Sequence, residues 1–288
     1  MPARPSVLTL ALRVLAPAML CLGAGLAPAL AQSNNPPVPA EMLDRTTPLE
    51  GDNITFCTDP LSRTVDFDKA VAQAIADVLL VRPSFKDLPT GFPIDAIGYL
   101  EELLIAMTNE CQVALGFSLQ PDGAYPTWLT ITSAYASIPY LLVVRDADYA
   151  SLADIPKSET IGTAMQSQGE ARFITYNLSL PRDQQWRRLP YADPALMAER
   201  LKDATLGAMI VWSPTFARLV AADPALAEMT LASPDPLRGM STPLAAILGA
   251  SDTFLRSQID GAIAALIADG TIARLLDEAG LAGAIPGE

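Results

Sequence analysis

A turn-prone segment that feeds without a break into a buried strand constrains this chain more than any other feature. Thr132-Ser-Ala-Tyr-Ala-Ser-Ile-Pro139 is small and polar, with Tyr135 inside it and Tyr140 just after it. Leu141 to Val144 then reads as a strand buried on both faces. Such a stretch suits a chain leaving one globular body and entering another; the alternative is one strand of a single larger sheet. A second stretch, Ser241 to Gly249, repeats the change from small and polar to apolar.

The elements on either side of the first crossing have one rhythm. Before it come a strand at Ile54 to Cys57, a helix from Asp66 and a second strand at Arg82 to Asp87. In the helix Phe67, Val71, Ala74, Ile75 and Val78 fall at helical spacing, and Asp66 is the expected cap. A helix through Ile97, Leu100, Leu103, Leu104 and Met107 and a strand from Cys111 to Phe117 complete this β-α-β-α-β run. After it, strands are expected at Glu159 to Met165, Trp186 to Tyr191, Gly207 to Trp212 and Met229 to Ala232. Helices are expected from Ser167, from Asp193-Pro194 and from Ser213-Pro214. Two helices close the chain, stopped by Gly270 and Gly280. Alternation of this kind calls for mostly parallel sheets flanked by helices, here in two α/β bodies with a cleft between them.

The first residues read as an export signal. Arg4 and Arg13 precede an apolar stretch from Val14 to Leu30, and Ala29-Leu-Ala31 is a small-x-small cleavage site. Cleavage after Ala31 would deliver a periplasmic protein that opens on a Pro-rich leader, residues 32–50. The signal region holds no acid, so the exported chain is more acidic than the full chain's net −13. Nucleic acid and anionic lipid are excluded as partners by that charge. Of the three cysteines Cys21 leaves with the signal, and Cys57 and Cys111 form an even pair that reads as a disulfide between two strands.

There is no histidine. His-based triads, His–metal chemistry and the commonest general base are therefore out of reach. No Gly-rich phosphate loop or Cys-x-x-Cys occurs, and Asp146, Asp148 and Asp154 read as solvated turn residues and not as a calcium loop. No cofactor, no metal and no enzymatic activity are expected.

Three pieces resemble the periplasmic solute-binding proteins of the amino-acid-binding type, extracellular solute-binding family three. They are Asp66-Phe-Asp-Lys-Ala-Val-Ala72, Tyr135 to Arg145, and the tail Gln258 to Leu276. The resemblance implies a two-lobed periplasmic-binding-protein-like (type II) α/β fold with two crossover hinge strands. Lobe 1 would be residues 51–139 plus 241–288 and lobe 2 residues 140–240, with the ligand between them and an inner-membrane ABC permease receiving it from a monomer. Cys57-Thr-Asp-Pro60, Cys111-Gln-Val-Ala-Leu-Gly116 and Val211-Trp-Ser-Pro214 resemble a subgroup encoded beside quinoprotein methanol and alcohol dehydrogenases. An accessory role toward such a dehydrogenase is the alternative this implies.

The chain also departs from the amino-acid receptors. They hold the ligand carboxylate with an arginine after the third strand, and Ser118 to Tyr125 contains none. They hold the ammonium with an aspartate at the end of the strand that here ends in Trp212. A buried zwitterion without its charged partners is costly, which speaks against an ordinary amino-acid ligand. The expected cleft residues are Asp59, Arg63, Phe117, Ser118, Tyr135, Tyr140, Gln166, Ser167, Trp212 and Ser213. Arg63, the one basic residue of the first loop, is the candidate for an anionic group, and Trp212 for a stacking wall. Asp59 has a second reading, as a cap of the first helix region or as a turn residue with Pro60. Tyr135 and Tyr140 flank the crossing, and each has a second reading as a packed side chain. Ser167-x-x-Glu170 either presents a helix N-terminus to an anion or satisfies that terminus itself as a capping box.

Overall fold

The computed structural model describes residues 52–88, 97–119, 123, 125–281 and 283. The expected signal and Pro-rich leader lie outside the described residues. The chain begins with β1 (Asn53–Thr58), α1 (Val65–Leu79), β2 (Arg82–Asp87), α2 (Ile97–Asn109), β3 (Val113–Ser118) and the short β4 (Leu129–Ile131). It continues through β5 (Ala136–Val144), β6 (Thr160–Ala164), α3 (Gln168–Ser179), β7 (Arg187–Tyr191), α4 (Pro194–Lys202) and β8 (Ala208–Trp212). The last elements are α5 (Ser213–Ala222), β9 (Thr230–Ala232), β10 (Ser241–Gly249), α6 (Thr253–Ala268) and α7 (Thr271–Glu278).

The crossing stretch is itself strand. β5 starts at Ala136 and runs through Pro139, where a turn-prone lead-in was expected. Its first residues pair antiparallel with β10, from Ala136↔Leu244 to Pro139↔Ser241. From Tyr140 it pairs instead with β8, from Tyr140↔Trp212 to Val144↔Ala208. The strand path β2-β1-β3-β10-β5-β8-β6-β7 is therefore unbroken, but β5 exchanges partners between Pro139 and Tyr140. On one side β1 pairs parallel with β2 and β3. On the other, β6 pairs parallel with β7 and β8.

The hydrophobic clusters divide the same way. Phe56, Phe67, Val71, Ile75, Ile138, Leu244 and Ile263 share one core. Leu142, Val144, Ile161, Phe173 and Ile210 share another. Ile138 and Leu142 are neighbours on one strand, yet they serve different cores. Burying apolar surface stabilises by about 25 cal/mol per Å², so each body is held by its own interior and the waist by the strand pair.

Local chemistry explains most element ends. In α1 Phe67, Val71 and Ile75 of the expected face are buried, Ala74 is half-buried, and Val78 at the end of that face is exposed. The cap is one correction: Thr64 occupies the N-cap, and Asp66 lies in the first turn, where its charge still complements the helix dipole. α4 starts as expected, with the Asp193 carboxylate accepting from the Ala195 N–H at 2.8 Å and Pro194 behind it. At α5 Trp212 is the N-cap and Ser213 the first helical residue, so Ser213 does not cap. Three-residue β4 carries no readable period and was not expected; it is held by pairing with β10.

Cys57 and Cys111 are bonded, with their Cα atoms 5.8 Å apart. Cys111 precedes β3, so the bond ties β1 to the turn that enters β3 and not strand to strand. Both cysteines are fully buried among Leu88, Leu103, Trp128 and Ile247. The bond closes a sequence separation of 54 residues, for which the chain-entropy relation gives about 4 kcal/mol as an upper value. Replacing both cysteines by alanine is expected to lower the unfolding free energy by about 2–4 kcal/mol, measured by denaturant titration of both forms.

Candidate functional site

The C-terminal ends of β1 and β3 meet beside the waist, and a cavity of about 250 Å³ opens there. Its wall is apolar where β3, α2 and β10 contribute Ala114, Leu115, Leu103 and Ile247, with Leu88 and Phe117 beside them. The loop between β1 and α1 contributes Asp59, Leu61, Ser62 and Arg63, and β3 adds Gly116 and Ser118. Trp212, the last residue of β8, reaches this wall from the other side of the strand exchange and packs against the first body's core. Its indole Nε1 is buried and has no hydrogen-bond partner among the described residues. A buried donor without a partner costs roughly 1–3 kcal/mol.

The β1–α1 loop is built around Asp59. Its carboxylate accepts from the Leu61 N–H at 2.9 Å, and its carbonyl accepts from the Ser62 N–H at 3.0 Å. This is the turn role that the sequence allowed it, and the residue still lines the cavity. Arg63 is exposed on the same loop and joins no ion pair among the described residues.

Tyr135 is not at the cavity. It is wholly buried, and its hydroxyl donates to Asp68 Oδ1 at 2.7 Å while accepting from the Gly116 N–H at 2.8 Å. Thr64 donates to the other oxygen of Asp68 at 2.8 Å. Gly116 has φ +80°, and a Cβ there would lie 2.6 Å from Asp68 Oδ2. Only glycine lets the cavity wall sit this close to the buried acid. Burial pushes the Asp68 carboxyl up to about 7, against the hydrogen bonds from Tyr135 and Thr64 and with a further push from the Asp59 charge. Burial also holds the Tyr135 phenol well above its ordinary range, with Asp68 adding to the effect.

The α3 N-terminus is closed by the chain itself. Ser167 is its N-cap and accepts from the Glu170 N–H at 3.1 Å. The Glu170 carboxylate turns back to accept from the Gln166 N–H and from Thr163 Oγ1, each at 2.8 Å, and pairs with Arg188. Tyr140 covers what remains. Burial raises its phenol, and hydrogen bonds to the Gln168 backbone, to Thr242 and to the Gly169 backbone oppose that rise. Thr242 in turn donates to Gln168 Oε1 at 2.8 Å. The Tyr140 ring lies so close that a Cβ on Gly169 would sit 2.6 Å from it.

Of the ten expected residues, the cavity brings together Asp59, Arg63, Phe117, Ser118 and Trp212. Tyr135, Tyr140, Gln166, Ser167 and Ser213 lie outside its lining. The two tyrosines follow their second reading, with hydroxyls satisfied inside the protein, and Ser213 is buried in the first turn of α5. Sequence reasoning missed Gly116 and Asp68. A glycine closing a strand and an acid on the buried face of a helix were the available signals. Leu103 and Ile247 gave none, since they read as ordinary core.

Asp146 and Asp154 hold turns, accepting from the Asp148 and Ser151 N–H groups. Among the described residues no group of acidic or cysteine side chains is placed to hold a metal ion, and no helix is long and apolar enough to cross a membrane.

No protein-family model matches the chain. No curated protein matches it either. Solved structures do match. The second substrate-binding domain of a candidate amino-acid ABC transporter from Streptococcus pneumoniae aligns over 78% of this chain and 98% of its own, at 16% identity and TM-score 0.60. Substrate-binding domain 2 of Lactococcus lactis GlnP, in an open conformation, aligns over 81% and 97%, at 15% identity and TM-score 0.58. A polar amino acid ABC uptake transporter's substrate-binding protein from Streptococcus thermophilus aligns over 79% and 85%, at 14% identity and TM-score 0.58. The likeness defines the fold: this is the two-lobed α/β architecture of substrate-binding proteins.

The Asp68 carboxyl generates a pH signature. Below about pH 3.8 the acid is protonated folded and unfolded alike. Between there and about 7 only the unfolded chain ionises it, so the folded state binds more protons and stability falls as pH rises. The D68N variant lacks this loss. Its unfolding free energy is expected to exceed the wild type's by on the order of a few kcal/mol above pH 7, with the gap narrowing toward pH 4. A gap that does not change with pH in denaturant titrations would count against an Asp68 proton retained in the fold.

Proposed function

We propose that this chain is a non-catalytic, periplasmic solute-binding protein that closes over a small organic ligand and hands it to an inner-membrane ABC permease. Lobe 1 in this reading is residues 51–139 with 241–288, and lobe 2 is residues 140–240. The observation that carries it is Trp212: the last residue of β8, it reaches across the waist to wall a cavity built from β1, β3 and α2. A ligand in that cavity touches both lobes at once, so its binding favours the closed arrangement of the two. The substrate-binding fold of the solved relatives supports the same reading. Calorimetric titration against a broad metabolite panel, with small-angle scattering of the same samples, is expected to find a ligand that compacts the protein. A panel without a binder and without compaction would sink the proposal.

The ligand in this reading is not an ordinary amino acid. Trp212 stands where the receptors place an acid, and no arginine follows β3. The α3 N-terminus, whose N–H groups would suit a carboxylate, is occupied by Ser167, Glu170 and Tyr140.

The Cys57–Cys111 disulfide, clustered with Leu88, Leu103 and Ile247, favours a second reading, an accessory of a periplasmic quinoprotein dehydrogenase. Co-purification from a native periplasmic extract separates the two. Retention of a quinoprotein dehydrogenase supports the accessory role, and retention of an ABC permease alone removes it.

A further inference from the structure

Resting on the receptor reading, we propose that Ser62 is a ligand contact of the cavity whose hydroxyl turns from hydrogen-bond acceptor to donor when the buried Asp68 takes up a proton. A chain of hydroxyl groups joins the two residues. Asp68 Oδ2 lies 2.8 Å from Thr64 Oγ1, and Thr64 Oγ1 lies 2.9 Å from Ser62 Oγ. Thr64 and Asp68 are buried, while Ser62 is half-buried and belongs to the cavity lining.

The far end of this chain is fixed, and that gives the near end two states. The Gly116 N–H donates to the Tyr135 oxygen, and the phenol O–H donates to Asp68 Oδ1. A proton on the carboxyl group therefore sits on Oδ2, facing Thr64. With Asp68 ionised, Thr64 donates to Oδ2 and Ser62 donates to Thr64, so Ser62 has only lone pairs left for a ligand. With Asp68 protonated, Oδ2 donates to Thr64 and Thr64 donates to Ser62, so the Ser62 O–H is free to meet a ligand's acceptor. The Thr64 N–H, 3.2 Å from Ser62 Oγ, donates in both states. The titratable groups that act on Asp68 are Tyr135 before β5, which favours the ionised form, and Asp59 in the β1–α1 loop, which opposes it. β3 presents the Gly116 backbone, and Asp66 on α1 itself is exposed. Burial outweighs the hydrogen bonds and brings the carboxyl up to about 7, so both states are reached in ordinary buffers.

The first test needs no ligand. The amide signals of Thr64, bonded to Ser62 Oγ, and Gly116, bonded to the phenol, are followed by NMR from about two units below the Asp68 value to about two units above it. Both are expected to shift with one midpoint, which D68N abolishes. T64V keeps the side chain's shape and removes its hydroxyl. It is expected to keep the Gly116 response and to cut that of the position-64 amide by about half or more. The second test titrates two uncharged probes calorimetrically at both ends of this range: acetophenone, which only accepts hydrogen bonds, and indole, which donates. Acetophenone is expected to bind about fivefold more tightly at the lower pH and indole about fivefold more tightly at the higher, the worth of one hydrogen bond. D68N, whose amide N–H donates toward Thr64 at any pH, is expected to hold acetophenone tightly throughout, and S62A and T64V to flatten both profiles. Circular dichroism checks that the variants are folded. A position-64 amide that shifts as much in T64V as in the wild type overturns the proposal. So do probe affinities that are equal at both pH values, or no binding of either probe. If a compound of the broad panel still compacts the protein, the receptor reading stands without the switch. If nothing binds and nothing compacts the protein, both fail.

Discussion

The exchange of partners along β5 is the constraint on which the rest of this structure depends. Up to Pro139 the strand belongs with β10, and from Tyr140 it belongs with β8. One strand cannot bury its side chains in two interiors unless its environment changes along its length, and this one does so over a single peptide bond. Ile138 lies in the first core and Leu142 in the second. The β5–β10 pair is the narrow connection, since only four residues of each strand are in register there. Backbone hydrogen bonds hold that connection, and beside them Trp212 of the second body packs against the first core.

Asp68, Tyr135 and Gly116 tie this connection to the cavity. Tyr135 sits just before β5, Asp68 in the first turn of α1 and Gly116 on β3 at the cavity wall. The three elements converge on one phenol oxygen, which gives its hydrogen to a buried carboxyl group and receives one from the backbone. The price of this arrangement is an acid held far above its ordinary range. A polar network this deep specifies one geometry, because moving any member leaves a buried group unpaired.

The second body contrasts with the first in how it treats its polar ends. At α3 the donors of the helix terminus are spent on Ser167, Glu170 and Tyr140. At the end of β8 the Trp212 N–H has no partner among the described residues. The helix terminus thus behaves as structure, and the Trp212 side chain is what this body brings to the cavity wall.

Much of this architecture was legible in the residues alone. The face of α1, the Asp193-Pro194 start of α4, the two apolar crossing stretches and the Cys57–Cys111 pair all follow from spacing, capping chemistry and cysteine count. Each is decided within a few residues, or by simple parity. Which side chains share the cavity was not decided there. Tyr135 and Tyr140 looked as available as Phe117 and Trp212, and Leu103 and Ile247 looked like core. A strand's period tells that neighbours face opposite ways, but which face meets a cavity depends on partners far along the chain. Local sequence determined the elements and their order. Only the long-range pairing of β5 with both β10 and β8 decided where the cavity lies and which side chains line it.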